Sequence, residues 1–137
     1  MVVAERRYAE VRGIEPIATL VSYGMGAVEP VMFGLGSVPA VKMALARVGW
    51  SLKDVERFEI NEAFAAVPLA VLRELGIDDE QVNVEGGVIA HGHAIGATGA
   101  VSTTCLAHSM RRDGLKRGIV ILCIGGGQGI ALALEAV

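Results

Sequence analysis

Between residues 86 and 110 the chain carries no Asp, Glu, Lys or Arg. Nothing else in the sequence restricts the fold as strongly, because so long a stretch without charge has to be covered. A membrane would cover it, but a span needs a continuous apolar run of about 20 residues. Here Gly, Ser, Thr and all three His of the chain break the run. The stretch therefore reads as a buried glycine-rich loop up to Gly96, feeding a buried helix over 97–112. Composition agrees with close packing of helices on sheets: hydrophobic residues make up 53%, aromatics only 4%, and 18 of 137 residues are Gly. The mean hydropathy of +0.52 also implies more apolar surface than one small domain hides. Contact with another domain or subunit is the usual outlet for such surface.

The remaining elements follow from periodicity and punctuation. Residues 2–11 fit a short helix, and 14–22 a β-branched strand ended by Gly24. After a glycine-punctuated loop, Ser37 opens a helix over 37–48 with Val41, Ala44, Leu45 and Val48 at helical spacing, and Gly49 closes it. Residues 55–60 read as a strand. Asn61 then stands as the N-cap of a helix over 62–75, with Pro68 a misfit in its interior. Val82-Asn83-Val84 looks extended, 117–124 is a nearly continuous apolar strand, 125–129 a glycine turn and 130–136 the last strand. The alternation predicts an α/β fold in one domain, 1–137, with a mixed sheet of about five strands covered by helices on both faces and closed by an antiparallel hairpin.

Charge narrows the partners. A net charge of −3 argues against a nucleic-acid footprint, and the short basic clusters Arg6-Arg7, Arg111-Arg112 and Lys116-Arg117 read as solvated helix ends, with phosphate binding the lesser alternative. The N-terminal sequence lacks a basic-then-apolar signal layout. Two cysteines make no disulfide framework and fit a reducing compartment, so a cytoplasmic protein without a membrane span is expected.

Three segments place a reactive group beside glycines at the end of a regular element. The first is Asn61-Glu62-Ala63-Phe64, where a plain capping role for Asn61 competes with a functional one. In the second, Gly92-His93-Ala94-Ile95-Gly96-Ala97-Thr98-Gly99, the spacing fits neither nucleotide-binding glycine pattern. His91 and His93 have no acidic or cysteine ligand near them in sequence, which disfavours a metal. The third, Cys123-Ile124-Gly125-Gly126-Gly127-Gln128-Gly129, exposes a thiol at a strand end and frees backbone N–H groups for an oxyanion. Cys105, mid-helix among Thr104, Leu106 and Ala107, reads as a packing residue.

In this order and spacing, the three segments resemble the thiolase family along essentially the whole chain, as a C-terminal half. The related ketoacyl synthases share a GH loop but do not end in a cysteine followed by three glycines, and the sterol-carrier type of thiolase has a histidine at the position of Asn61. The resemblance implies a thiolase-like C-terminal domain acting on coenzyme A thioesters, without a bound cofactor. The reaction is thiolysis of a 3-oxoacyl-CoA or the reverse Claisen condensation. Thiolases divide the work between two cysteines, one acylated and one exchanging protons with the substrate α-carbon or the leaving thiol. By resemblance Cys123 is the second of these. His93 activates the first and helps hold the thioester oxygen, Asn61 fixes a water in the same oxyanion hole, and the N–H of Gly125 serves the other hole. Ala63 and Phe64 line the pantetheine tunnel, and Phe33 lies against the acyl group. The family usually has proline where this chain has Ala94, which loosens the hold on His93. The acyl-accepting cysteine, the N-terminal catalytic domain and the CoA-gripping loop domain are absent from these residues. The expected partners are therefore CoA thioesters and an N-terminal half or partner subunit, in a homo-oligomer when full length. A small subunit of a heteromeric thiolase and a non-catalytic binding or assembly module are the alternatives.

Overall fold

Residues 117–124 alternate between two buried faces, and the whole architecture is arranged about them. In the computed structural model, which describes Met1 to Val137, the elements run α1 (Arg6–Val11), β1 (Ala18–Ala27), a 3₁₀ segment (Pro30–Gly36), α2 (Ser37–Val48), β2 (Arg57–Ile60), α3 (Ala66–Leu75), α4 (Val88–His91), α5 (Thr98–Asp113), β3 (Arg117–Ile124) and β4 (Gln128–Ala136). The sheet order is β1-β4-β3-β2. β4 is antiparallel to both β1 and β3, and β2 runs parallel to β3.

The odd-numbered Ile119 and Ile121 of β3 join Ala131, Phe58 and Ile60 under α2 and α3, which contribute Ala40, Val41, Ala44, Val67 and Val71. Val120 faces the other way, where Leu134 and it are covered by Leu106 and Met110 of α5. Strands buried on both faces read as apolar runs rather than alternating ones. Residues 30–48 are long and apolar enough to cross a membrane by length and composition. They are a 3₁₀ segment followed by α2, and Val38, Ala40, Val41, Ala44 and Leu45 are packed into the core.

Four strands form, not five. Val82 makes only an isolated parallel bridge to Phe58, because Asn83 turns into the left-handed region with φ 46° and leaves the extended path. β1 begins later than expected and runs on through Gly24 to Ala27, because β4 supplies partners only from Ala18↔Ala136 to Ala27↔Gln128. α3 starts at Ala66, four residues late. Asn61 does not cap it, since its backbone N–H continues the sheet by donating to the Ile121 carbonyl at 2.8 Å. That shift also removes the Pro68 misfit. Pro68 is the third residue of α3, where the missing N–H has no intrahelical acceptor to lose.

The loop and helix expected to be buried are so on one side only. Ile89 and Ile95 are exposed, as are Ala97 and Ala100, while Ser102, Leu106, Ser109 and Met110 face the sheet. The charge-free character of 86–110 therefore exceeds what this chain covers. Two residues of the basic clusters meet acids: Arg112 pairs with Glu85 and Asp113, and Arg117 stacks over Trp50 at 4.7 Å while meeting Glu135 at 3.5 Å.

Candidate functional site

Parallel strands open their carboxyl ends on one side, and in α/β sheets that is where ligands are held. Here β2 delivers Asn61 and β3 delivers Cys123 and the glycine turn to that side. Asn61 is 2% exposed, and its Oδ1 has no hydrogen-bond partner. Its side chain lies against Cys123. Burial pushes the Cys123 thiol above its ordinary 9.0, while its own backbone and the adjacent Asn61 side chain act the other way. The turn after Cys123 is a 3₁₀ segment, Gly125–Gly127, with Gly125 exposed at its start. The Gly127 carbonyl accepts from Val28 N at 2.8 Å, which holds the turn on the end of β1.

His93 follows α4 on an exposed loop. Its Nδ1 is 2.8 Å from Thr98 Oγ1, and Thr98 donates its own proton to the Ala94 carbonyl at 3.0 Å. The hydroxyl proton is thereby committed, so Thr98 accepts and His93 Nδ1 donates. The lone pair is left on Nε2, a tautomer assigned from the network. His91 bonds only its neighbour's carbonyl, Gly92 O at 3.1 Å, and no three His, Cys, Asp or Glu side chains gather to hold a metal.

Phe33, on the 3₁₀ segment before α2, meets Phe64 edge to face with ring centroids 5.9 Å apart. Ala63 is half-buried between Glu62 and the exposed Phe64. The structure therefore joins Asn61 to Cys123 and Phe33 to Phe64. The loop of Asn61 meets the loop of His93 through Glu62, whose Oε1 accepts from Asn83 Nδ2 at 2.9 Å and whose Oε2 accepts from Ile89 N at 2.8 Å.

Sequence reasoning missed Glu62, Asn83 and Thr98. Glu62 was read as the first residue of a helix and Asn83 as the middle of a strand. Both act through side-chain bonds across 21 or more residues, which leave no periodic trace. Thr98 sits inside the glycine motif, and a hydroxyl five residues after a histidine at a helix start was the available signal.

Cys105 departs from expectation. It is partly exposed rather than buried, as Cys123 is. Burial raises its pKa, and the negative charges of Glu59 and Glu85 raise it further. Neither thiol is an activated thiolate by these surroundings. Iodoacetamide should therefore label both cysteines of this chain slowly at pH 7 and faster as pH rises. Asn61→Ala should slow Cys123 alone by removing a donor to its thiolate. Peptide mapping after limited alkylation reads this out, and full labelling of Cys123 at pH 7 with Cys105 untouched would contradict it.

Comparison with known proteins decides the relationship. Residues 14–136 match the family model described as thiolase, C-terminal domain. The chain belongs to the thiolase family. It is 47% identical over 135 residues to the cytosolic acetyl-CoA acetyltransferase of Mus musculus, covering 98% of this chain and 34% of that protein. To the acetyl-CoA acetyltransferase of Escherichia coli (strain K12) it is also 47% identical, again covering 98% of this chain and 34% of the other. Among solved structures, the Bacillus anthracis acetyl-CoA acetyltransferase superposes with a TM-score of 0.94 at 47% identity, covering 97% of this chain and 34% of that one. Human mitochondrial 3-ketoacyl-CoA thiolase in complex with CoA gives 0.95 at 42% identity, over 98% of this chain and 34% of that one. The thiolase chain described here thus corresponds to the C-terminal part of these proteins, about a third of their length.

Proposed function

We propose that this thiolase chain, as one domain over residues 1–137, supplies the proton-exchanging half of an active site. That site cleaves a 3-oxoacyl-CoA with CoA, or condenses two acyl-CoAs in reverse. The observation that carries the reading is the contact of the buried Asn61 side chain with the Cys123 thiol at the mouth of the glycine turn.

The chemistry follows from these groups. His93, with its Nδ1 proton held by Thr98, takes the proton of an acyl-accepting cysteine through Nε2. That cysteine attacks the 3-oxo carbon of the substrate, and the bond between the α- and β-carbons breaks. The departing α-carbon collects the Cys123 proton. Burial keeps Cys123 in its thiol form near neutrality, so the proton is present to be given. The Cys123 thiolate then removes the proton of incoming CoA, whose sulphur attacks the acyl-cysteine and releases the shortened acyl-CoA, while the departing cysteine thiolate recovers its proton from His93. Asn61 Oδ1, a buried acceptor without a protein partner, suits the holding of a water in the oxyanion hole beside His93, and the Gly125 N–H serves the second hole. Ala63 and Phe64 line the pantetheine path and Phe33 meets the acyl group. Substrates are coenzyme A thioesters, with no resident cofactor.

The chain's only cysteines are Cys105 and Cys123, so the acyl-accepting cysteine comes from elsewhere: an N-terminal half, or a partner subunit in a heteromeric thiolase. The exposed, charge-free start of α5, with Ala97 just before it and Ala100 in its first turn, supports such a neighbour. Where the N-terminal half lies in the same chain, the full-length enzyme is a homo-oligomer in the cytoplasm. One relative is named cytosolic and another mitochondrial.

The test is acetoacetyl-CoA cleavage with free CoA. The purified chain alone should show no turnover, and the chain mixed with an N-terminal thiolase half should cleave. Cys123→Ala in the mixture should return the rate to background. Turnover by the chain alone that survives Cys123→Ala would overturn the reading. So would a well-formed complex that does not cleave.

A further inference from the structure

We propose that Glu62 is a positioning residue for His93, its carboxylate fixing the loop that carries the histidine to the strand end that carries Asn61. The proposal rests on the thiolase reading above, since it gives a part to a residue on which that chemistry depends.

Asn61 and Glu62 leave β2 consecutively and turn to different tasks. Asn61 faces Cys123. Glu62 spans to the other loop, where its two oxygens accept from Asn83 Nδ2 at 2.9 Å and from Ile89 N at 2.8 Å. Both donors are themselves held. The Asn83 amide brackets Ile60, accepting from its N–H at 2.8 Å and donating to its carbonyl at 2.9 Å. In this way it stands in for a neighbouring strand at the sheet edge. Ile89 is the second residue of α4, which ends at His91, two residues before His93. The loop between α4 and α5 is therefore tied at both ends, by Glu62 at Ile89 and by Thr98 at His93.

The backbone makes room for this link. A Cβ on Gly87 would overlap the Glu62 carboxyl carbon and lie 2.6 Å from its Oε1. A side chain at 87 would push the carboxylate off Ile89. The missing Cβ, the bracketing amide and the two charge-assisted bonds all converge on one carboxylate, and the element they steady is the one that presents the base. Ala94 sharpens the requirement, because proline's restraint on the backbone is absent next to His93. A carboxylate accepting from two N–H donors cannot be replaced by an amide. In Glu62→Gln one oxygen becomes NH₂, and a donor faces a donor at either Asn83 or Ile89.

The experiment uses this chain and two variants, Glu62→Gln and Gly87→Ala, the second leaving the carboxyl group present but displaced. Amide exchange by NMR should show Ile89 opening at least about tenfold faster in both, the cost of a lost charged hydrogen bond. Val120 and Ile121 in β3 should stay as protected as in the parent. ¹⁵N shifts of the His93 ring should move from the single Nδ1–H form toward a tautomer mixture. Combined with an N-terminal thiolase half and assayed on acetoacetyl-CoA, both variants should lose about 10- to 100-fold in kcat with KM within about twofold of the parent. A parent-like Ile89 exchange and His93 tautomer in either variant overturns the proposal, as does a parent-like kcat alongside altered NMR signals. Loss of protection throughout β3 in both variants makes Glu62 a general fold-stabilising group and also overturns it. If the parent mixture itself fails to cleave, the thiolase reading is what fails, and the exchange and tautomer measurements still decide the placement.

Discussion

Glu59→Gln should make this chain more stable than its parent at pH 8 by about 3 kcal/mol, with the advantage vanishing near pH 4. Glu59 lies in β2, 4% exposed, and its Oε1 has no hydrogen-bond partner. Burial pushes its carboxyl up to about 7 from an ordinary 4.5, the Arg57 charge opposes, and Glu85 and Glu62 push further upward. Across from it on α5 stands Cys105, whose own pKa Glu59 helps to raise. The sign follows from proton counting. Between about 4.5 and 7 the folded state holds a proton on Glu59 that the unfolded chain has released. Stability from this group is complete below 4.5, declines as pH rises through that window, and is lost above it. A difference of that size disfavours the ionised folded state by about 3 kcal/mol. Gln cannot ionise and so does not incur the loss. Urea unfolding of both proteins from pH 4 to 8 measures the difference directly, because the other carboxylates are common to the two. Stability profiles that run parallel across the range would show that Glu59 is charged without cost in the folded chain.

Glu59 also illustrates where sequence reading stops. The apolar strand 117–124 and the helices over 37–48 and 97–112 were legible because each is long and its pattern agrees with burial on one or both faces. Within a strand as short as Arg57–Ile60, neither alternation nor flanking residues say that the single acid points into a covered interface. The capping role read for Asn61 failed for a related reason. Asn at a strand–helix junction satisfies the propensity for a cap equally well when its backbone continues a sheet, and only the partner strand, through Ile121, decides between them. Asn83 defeated the strand reading because its left-handed φ and its bracketing of Ile60 are properties of a place in the fold. The site motifs were legible as motifs. Their joining was not, since Glu62 reaches Ile89 over 27 positions. Cys105 and the loop after Gly86 were expected to be buried because their composition is that of an interior. The structure leaves them partly open, so the composition describes a surface that this chain does not cover by itself.

Gly24→Ala should be the most damaging addition of a single methyl group to the β1–α2 interface, lowering stability by about 3 kcal/mol and the melting temperature by roughly 10 °C. The sequence suggested that Gly24 ends β1. It lies inside the strand instead, paired with Ala131 of β4, and its missing side chain is what lets α2 lie on the sheet. A Cβ there would overlap the Ala40 carbonyl oxygen and come within 2.5 Å of Ala44 N. Both are main-chain atoms of a regular helix, which cannot rotate aside as a side chain does. The neighbouring contact is equally tight, since Ser22 Oγ donates to the Ala44 carbonyl at 2.8 Å from the same face of β1. Relief therefore requires α2 to move away from β1 as a unit. Such a movement would open the packing of Val41 and Ala44 on the core and draw on the 3₁₀ segment that precedes α2 and carries Phe33. Thermal unfolding of Gly24→Ala beside Tyr23→Ala gives the comparison, because Tyr23 lies on the opposite, exposed face of the strand. Removing Tyr23 forfeits its stacking with Arg47 and should cost about 1 kcal/mol or less. If the glycine variant proved no less stable than the tyrosine variant, the close approach of α2 to β1 would not be what the missing Cβ at position 24 serves.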